Sequence, residues 1–253
     1  SIEEDYKIKS EALEAAITDR TRMVIYSSPC NPSGSVYTKD ETEAIASVLH
    51  KHDNIITISD EIYELINFTP KHASLAGVPG MMERVVTVNG VSKGFAMTGW
   101  RLGYIGAPKW IAAACNKIQG QITSAPCSIA QAAAAAAVDS DPSIAKDMLD
   151  AFLRRRDQML EDLSGIPGVK LNKPMGAFYL FPDISGLFGK SFNGKTLNNS
   201  DDVAMFLIEE AHVATVSGSA FGTPECIRLS YAAADEVLAE AARRIRDAVS
   251  KLA

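Results

Sequence analysis

Three short apolar runs alternate with polar, helix-like stretches through the first half of the chain. They are Arg22-Met23-Val24-Ile25-Tyr26-Ser27, Asn54-Ile55-Ile56-Thr57-Ile58-Ser59, and Arg84 to Val88. Unbroken runs of this length suit strands buried on both faces, as in a parallel sheet. Each run ends at a polar or turn-forming segment. Ser28-Pro29-Cys30-Asn31-Pro32-Ser33-Gly34 follows the first, Asp60-Glu61 follows the second, and the third stops just before Lys93. Between the first two, Thr38-Lys39-Asp40-Glu41 fits a capping box, with Ile45, Val48 and Leu49 behind it at helical spacing. This alternation predicts an α/β fold, in which ligands collect beyond the carboxyl ends of the strands. Asn31, Asp60 and Lys93 all fall at such ends.

Beyond residue 110 the texture changes. Ile111 to Cys115 and Gln131 to Val138, the latter with six consecutive alanines, predict tightly packed helices. Asp141-Pro142 fits an N-cap followed by a first-turn proline. A charged helix carrying Arg154, Arg155 and Arg156 leads to the Ser164-Gly165-Ile166-Pro167-Gly168 break. Strand-like pieces follow at Ala177 to Phe181 and Ile227 to Tyr231. Two amphipathic helices follow as well, one with Val203, Phe206, Leu207 and Ala211 on a single face and one over Val237 to Val249. The expected organisation is a partial, mainly parallel sheet over residues 1–140 and a smaller α+β domain over residues 141–253.

Composition adds limits. The 253 residues are 47% hydrophobic and 22% charged, which is ordinary for a globular chain long enough for one large or two smaller cores. A net charge of −6 argues against nucleic acid or an anionic membrane as the main partner. No apolar stretch is long enough to span a bilayer, and the start is not signal-like. Cys30, Cys115, Cys127 and Cys226 lack C-x-x-C spacing, which favours a reduced, cytoplasmic chain over a disulfide or zinc framework. His50, His52, His72 and His212 show no metal-like spacing with carboxylates, so no metal is expected. Ser1-Ile2-Glu3-Glu4-Asp5-Tyr6 reads as the interior of a longer polypeptide, and an N-terminal truncation is expected.

The candidate chemistry centres on Lys93, in Gly90-Val91-Ser92-Lys93-Gly94, with Arg101 eight residues on. An amine at a strand end, beside a hydroxyl and near a guanidinium, suits an aldehyde cofactor that carries a phosphate. The amine forms a Schiff base, and the hydroxyl and guanidinium hold the anion. Asp60 is a helix N-cap if Glu61 to Leu65 is helical, or else the carboxylate partner of a protonated pyridine nitrogen. Tyr63, three residues on, either packs or reaches the same ring. Asn31, held extended before Pro32, is a turn residue or a fixed amide at a strand end. Arg228, in Ile227-Arg228-Leu229-Ser230-Tyr231, needs an anion if buried, from an internal salt bridge or from a ligand.

Taken in order, Asn31-Pro32-Ser33-Gly34, Ser59-Asp60-Glu61-Ile62-Tyr63, Ser92-Lys93 with Arg101, and Arg228-Leu229-Ser230 resemble the class I aminotransferases among the fold-type I pyridoxal-phosphate enzymes. The stretch from Gly90 to Tyr104 is most similar to the bacterial aspartate aminotransferases, and the likeness runs from about residue 6 to the end. The resemblance implies a PLP-binding large domain whose C-terminal part is residues 1–140. It implies transamination between an amino acid, aspartate first, and a 2-oxo acid in amino-acid biosynthesis. Pyridoxal 5'-phosphate is the implied cofactor and a cytoplasmic homodimer the implied assembly. Lys93 would be catalytic, forming the Schiff base and shuttling a proton. Asp60 would hold the pyridine nitrogen, Tyr63 and Asn31 the phenolic oxygen, and Ser92 and Arg101 the phosphate. Arg228 would clamp the substrate α-carboxylate, with Asn31 touching it too. Gly90 stands where some family members place a further phosphate-binding Ser. Complete members carry a long preceding segment with the rest of the phosphate loop, a ring-stacking aromatic and part of the substrate selector, so a chain without it is expected to be impaired. Three alternatives remain: an aminotransferase-like sensing domain of a transcription regulator, a PLP-dependent carbon–sulfur lyase and an aromatic aminotransferase.

Overall fold

The computed structural model describes all 253 residues, which divide into two compact units. The first unit comprises Lys7–Cys30 and Val36–Leu149. Its four-stranded sheet runs β1 (Met23–Ser27), β2 (Ile56–Asp60), β3 (Val85–Gly90) and β4 (Gly103–Gly106), in that spatial order. Strands β1, β2 and β3 are parallel, with Ser27 opposite Asp60 and Asp60 opposite Val88. β4 returns antiparallel, pairing Gly103 with Gly90. The predicted α/β architecture is therefore present, with one antiparallel edge that the alternation did not reveal.

Helix α1 (Ser10–Ala16) and helix α2 (Lys39–Leu49) cover one face of the sheet. The predicted capping box is formed. Thr38 Oγ1 accepts from the Glu41 amide at 3.2 Å, and Glu41 Oε2 accepts from the Thr38 amide at 2.7 Å. Ile45, Val48 and Leu49 then face inward against Ile55, Leu75, Met81 and Val85. Burying each large aliphatic side chain of this set contributes about 1.5–3 kcal/mol.

Two expectations are corrected here. The first apolar run does not make a strand buried on both faces: Ile25 of β1 is 68% exposed and Met23 49%, because α2 covers only the other face. Helices α3 (Lys109–Ile122) and α4 (Ser128–Val138) form as the pattern predicts but are not tightly packed. No residue of α3 is buried, and only Ala130 and Ala134 of α4 are. Their apolar side chains meet no second layer within the unit.

The second unit comprises Asp150–Ala253 with two segments from far upstream, Ser1–Tyr6 and Asn31–Ser35. Both are stitched in by hydrogen bonds. Tyr6 Oη donates to the Phe181 carbonyl at 2.8 Å, Asn172 Nδ2 to the Ser33 carbonyl at 2.8 Å, and the Met175 amide to the Gly34 carbonyl at 2.9 Å. Helix α5 (Lys146–Leu163) enters the unit from a short 3-10 turn that Asp141 caps with Pro142 in its first turn, as expected. A three-stranded antiparallel sheet follows, ordered β5 (Tyr179–Leu180), β9 (Ile227–Ser230), β8 (Val216–Ser217), beside a small ribbon of β6 (Ser191–Phe192) and β7 (Lys195–Thr196). Helices α6 (Ser200–Glu210) and α7 (Asp235–Val249) bury Val203, Phe206, Leu207, Leu238, Ala242 and Ile245. Those are the faces that the 3.6-residue period marked.

Candidate active site

In the first unit, the loops that leave β2 and β3 carry Asp60, Tyr63, Ser92 and Lys93. Because these strands are parallel neighbours, both loops emerge at the same, carboxyl-terminal end of the sheet. Asp60 is the last residue of β2, and its Oδ1 accepts from the Ile62 amide at 3.2 Å. The segment it opens is not helical, contrary to the capping alternative. It is a pair of tight turns closed by Glu64 N to Glu61 O and Ile66 N to Tyr63 O, at 2.9 and 2.8 Å. Those turns bury Tyr63 to 4% exposure, and Lys93 Nζ lies 5.8 Å from the centroid of its ring. The amine and the phenol therefore share one locality.

Ser92 and Arg101 are brought together by register. Gly90 pairs with Gly103, so Ser92 stands two residues past the pair on one strand and Arg101 two residues before it on the other. Both flank the mouth of the same loop. Arg101 is held there in a left-handed conformation (φ 52°, ψ 52°), unusual for a residue with a side chain, and Nη1 donates to the Thr98 carbonyl at 2.9 Å. The glycine at position 90 follows from the same pairing. A Cβ there would lie 3.0 Å from Gly103 Cα and from the Leu102 carbonyl, so the close approach of β4 disfavours a serine.

Sequence reasoning missed what braces this segment. Glu61 is 2% exposed. Its Oε1 accepts from Ser59 and Ser74 hydroxyls at 2.9 and 2.8 Å, and its Oε2 lies 2.8 Å from His72 Nε2. Glu64 Oε1 accepts from Asn89 Nδ2 at 2.7 Å, which ties the same turns to β3. His72 is thus the partner of a buried carboxylate. The ligand atoms of Glu61, Glu64 and His72 lie within 4.8 Å of one another. Each carboxylate already has protein partners, so the group serves as a hydrogen-bonded brace. Burial also pushes the neighbouring Tyr26 phenol up to about 12, a shift its hydrogen bond with Ser59 partly opposes. The one sequence signal was the i, i+2 spacing of Ser59 and Glu61, which turns them to the opposite side of the chain from Asp60.

The remaining two candidates, Asn31 and Arg228, lie in the second unit and touch directly. Arg228 Nη1 donates to Asn31 Oδ1 at 2.7 Å. Arg228 sits in β9 and is half-exposed, and its guanidinium carbon lies 4.6 Å from the ring centroid of Tyr179 and 5.0 Å from that of Phe221. The internal salt bridge weighed from sequence is replaced by an amide oxygen and two aromatic faces.

Comparison with known proteins identifies the family. Residues 1–245 match the family Aminotransferase class I and II. The chain belongs to that family. A bifunctional aspartate aminotransferase and glutamate/aspartate-prephenate aminotransferase of Petunia hybrida is 46% identical over 98% of this chain and 53% of that protein. An aspartate/prephenate aminotransferase of Cereibacter sphaeroides is 44% identical over 97% of the chain and 62% of that protein. Among solved structures, an aspartate aminotransferase from Rhizobium meliloti superposes with a TM-score of 0.95 at 40% identity, covering 99% of this chain and 64% of that one. This aminotransferase-family chain thus spans between about half and just under two thirds of the length of those relatives.

Proposed function

We propose that this protein is a pyridoxal-5'-phosphate-dependent aminotransferase, moving an amino group between an amino acid, aspartate first, and a 2-oxo acid. The observation that carries the proposal is the set of groups at the carboxyl ends of β2 and β3. An amine (Lys93), a carboxylate (Asp60), a phenol (Tyr63), a hydroxyl (Ser92) and a guanidinium (Arg101) belong to adjoining loops there. That donor set fits the cofactor group for group: aldehyde carbon, pyridine nitrogen, phenolic oxygen and phosphate.

When bound, the cofactor supplies a cationic ring that takes up the electron pair of the substrate α-carbon. Lys93 would supply the amine for the aldehyde carbon and would carry the proton that leaves the α-carbon. Asp60 would hold the protonated ring nitrogen. Tyr63 and Asn31 would hold the phenolic oxygen, and Ser92 and Arg101 the phosphate. Arg228 binds the substrate α-carboxylate in a two-pronged bond, steadied by Asn31. The expected division at residue 140 gives way to the two compact units: Lys7–Cys30 with Val36–Leu149 is assigned to the large cofactor-binding domain, and Ser1–Tyr6, Asn31–Ser35 and Asp150–Ala253 to the small domain.

The same reading carries a homodimer, a cytoplasmic location and a biosynthetic role. Exposed Trp110, Ile118 and Ile122 on α3, with Ile129 and Val138 on α4, support self-association, and four free cysteines support a reducing compartment. The test is an amino-donor panel run with and without 2-oxo acids. Prephenate is included because the Petunia and Cereibacter relatives carry it in their names. Aspartate turnover that requires the 2-oxo acid supports the proposal. Acceptor-independent release of sulfur from a thio-amino acid would replace it with a lyase.

A further inference from the structure

Arg228 is held in a way that goes beyond its own donors. β5 and β9 are antiparallel, with Tyr179 opposite Ser230. Arg228 is two residues from Ser230 and therefore shares its face, so Tyr179 is the diagonal neighbour that a long side chain reaches. The Tyr179 ring accordingly lies 4.6 Å from the guanidinium carbon. Phe221 approaches from a different element, the 3-10 turn Gly218–Phe221, with its ring centroid 5.0 Å away.

Both rings are themselves fixed. Phe221 packs edge-on against Phe181 at 5.9 Å, and Tyr179 leans on Phe178 at 4.7 Å. The turn beneath Phe221 is pinned because position 218 takes only glycine. A Cβ there would fall 2.1 Å from the Thr223 carbonyl oxygen and 2.4 Å from that of Cys226. Ser217 Oγ caps the turn by accepting from the Ser219 amide at 3.2 Å.

We infer that Tyr179 and Phe221 are positioning residues that set the plane of the Arg228 guanidinium for carboxylate binding. The inference rests on the assignment of Arg228 as the carboxylate anchor. Aromatic faces attract a guanidinium by cation–π interaction and stacking, while leaving the donors at its edge available. Asn31 Oδ1 engages one of those donors, at Nη1. Two faces and one amide oxygen fix the fork before substrate arrives, which lowers the ordering cost of a two-pronged bond. The ligand class selected is a planar carboxylate. The phenolic oxygen of Tyr179 is not needed for this, only its ring.

The test uses the protein with Tyr179→Leu, Tyr179→Phe, Phe221→Leu and Arg228→Lys. Two quantities are read: the calorimetric Kd of maleate, and KM against kcat for aspartate. Tyr179→Leu and Phe221→Leu are each expected to raise Kd and KM about fivefold, in line with the cost of ordering one long side chain on binding, with kcat within about twofold. Tyr179→Phe is expected to bind maleate within about twofold of the parent. If Arg228→Lys weakens maleate while both leucine variants bind it as the parent does, the inference is overturned and the anchor stands. If Arg228→Lys leaves maleate binding unchanged, the anchor assignment itself has failed. Should Tyr179→Leu not fold, the half-exposed Phe221 decides the matter alone. A Tyr179→Phe variant as weak as Tyr179→Leu would also count against the inference.

Discussion

Glu61→Ala removes the acceptor on which three side chains converge. The Ser59 and Ser74 hydroxyls and the His72 imidazole all meet this carboxylate within 2.9 Å, in a spot where Glu61 itself is 2% exposed. A buried polar group stripped of its partner costs about 1–3 kcal/mol. Relief of the carboxylate's own burial offsets part of the sum, as does rotation of the two hydroxyls. The net loss is expected to be about 3 kcal/mol. For a chain of this size each kcal/mol shifts the melting temperature by roughly 2–4 °C, so the variant should melt roughly 6–12 °C lower. Glu61→Gln keeps the shape and the oxygen that both serines use, altering only the contact with His72. Its cost should be about 1 kcal/mol. Thermal melts followed by far-UV circular dichroism measure both. A Glu61→Ala melt within about 2 °C of the parent would refute the view that this carboxylate braces the Asp60–Tyr63 turns.

Thr38→Ala removes the α2 cap and should lower stability by about 1 kcal/mol, read by urea unfolding; an unchanged midpoint would show the capping box to be idle. The other half of that box gives a pH prediction. Burial raises the Glu41 carboxyl, but hydrogen bonds from Lys7 and Thr38 outweigh it, so its value is held below the ordinary 4.5. A depressed folded value stabilises above the unfolded value and is lost as pH falls through the folded one. The stability difference between parent and Glu41→Gln should therefore shrink below about pH 4, and a constant difference would contradict it. Thiol reactivity should split sharply. Backbone hydrogen bonds from Ala130 and Ile129 at the start of α4 lower the exposed Cys127, whereas burial pushes Cys226 up to about 11. Iodoacetamide at pH 7.5 should label Cys127 well before Cys226, and peptide mapping that finds Cys226 first would overturn this.

What the sequence disclosed was local. The α2 cap was legible because four consecutive residues satisfy one another. The ends of β1, β2 and β3 were legible because apolar runs stop at turn formers, and that located Asp60 and Lys93. The exposure of Ile25 was not legible, since an apolar run does not say which faces are covered. The pairing of Gly90 with Gly103, which places Ser92 beside Arg101 at one loop mouth, depends on a register no propensity encodes. Glu61 to Leu65 has helical composition, yet the strand end and the Glu61 hydrogen bonds bend it into turns. His72 and Glu61 are 11 residues apart and meet only once those turns have formed. The second unit was the least legible, because it recruits Ser1–Tyr6 and Asn31–Ser35 from the far end of the chain. The same recruitment puts Asn31 against Arg228 across 197 positions of sequence.

The central claim is that Lys93 is the nucleophile for an aldehyde cofactor. Mixing the protein with pyridoxal phosphate, reducing with borohydride and mapping the labelled peptide tests it directly. A phosphopyridoxyl mark is expected on Lys93, lost together with transamination in Lys93→Ala. A mark on another lysine, with cofactor absorbance and transamination intact in Lys93→Ala, would contradict it.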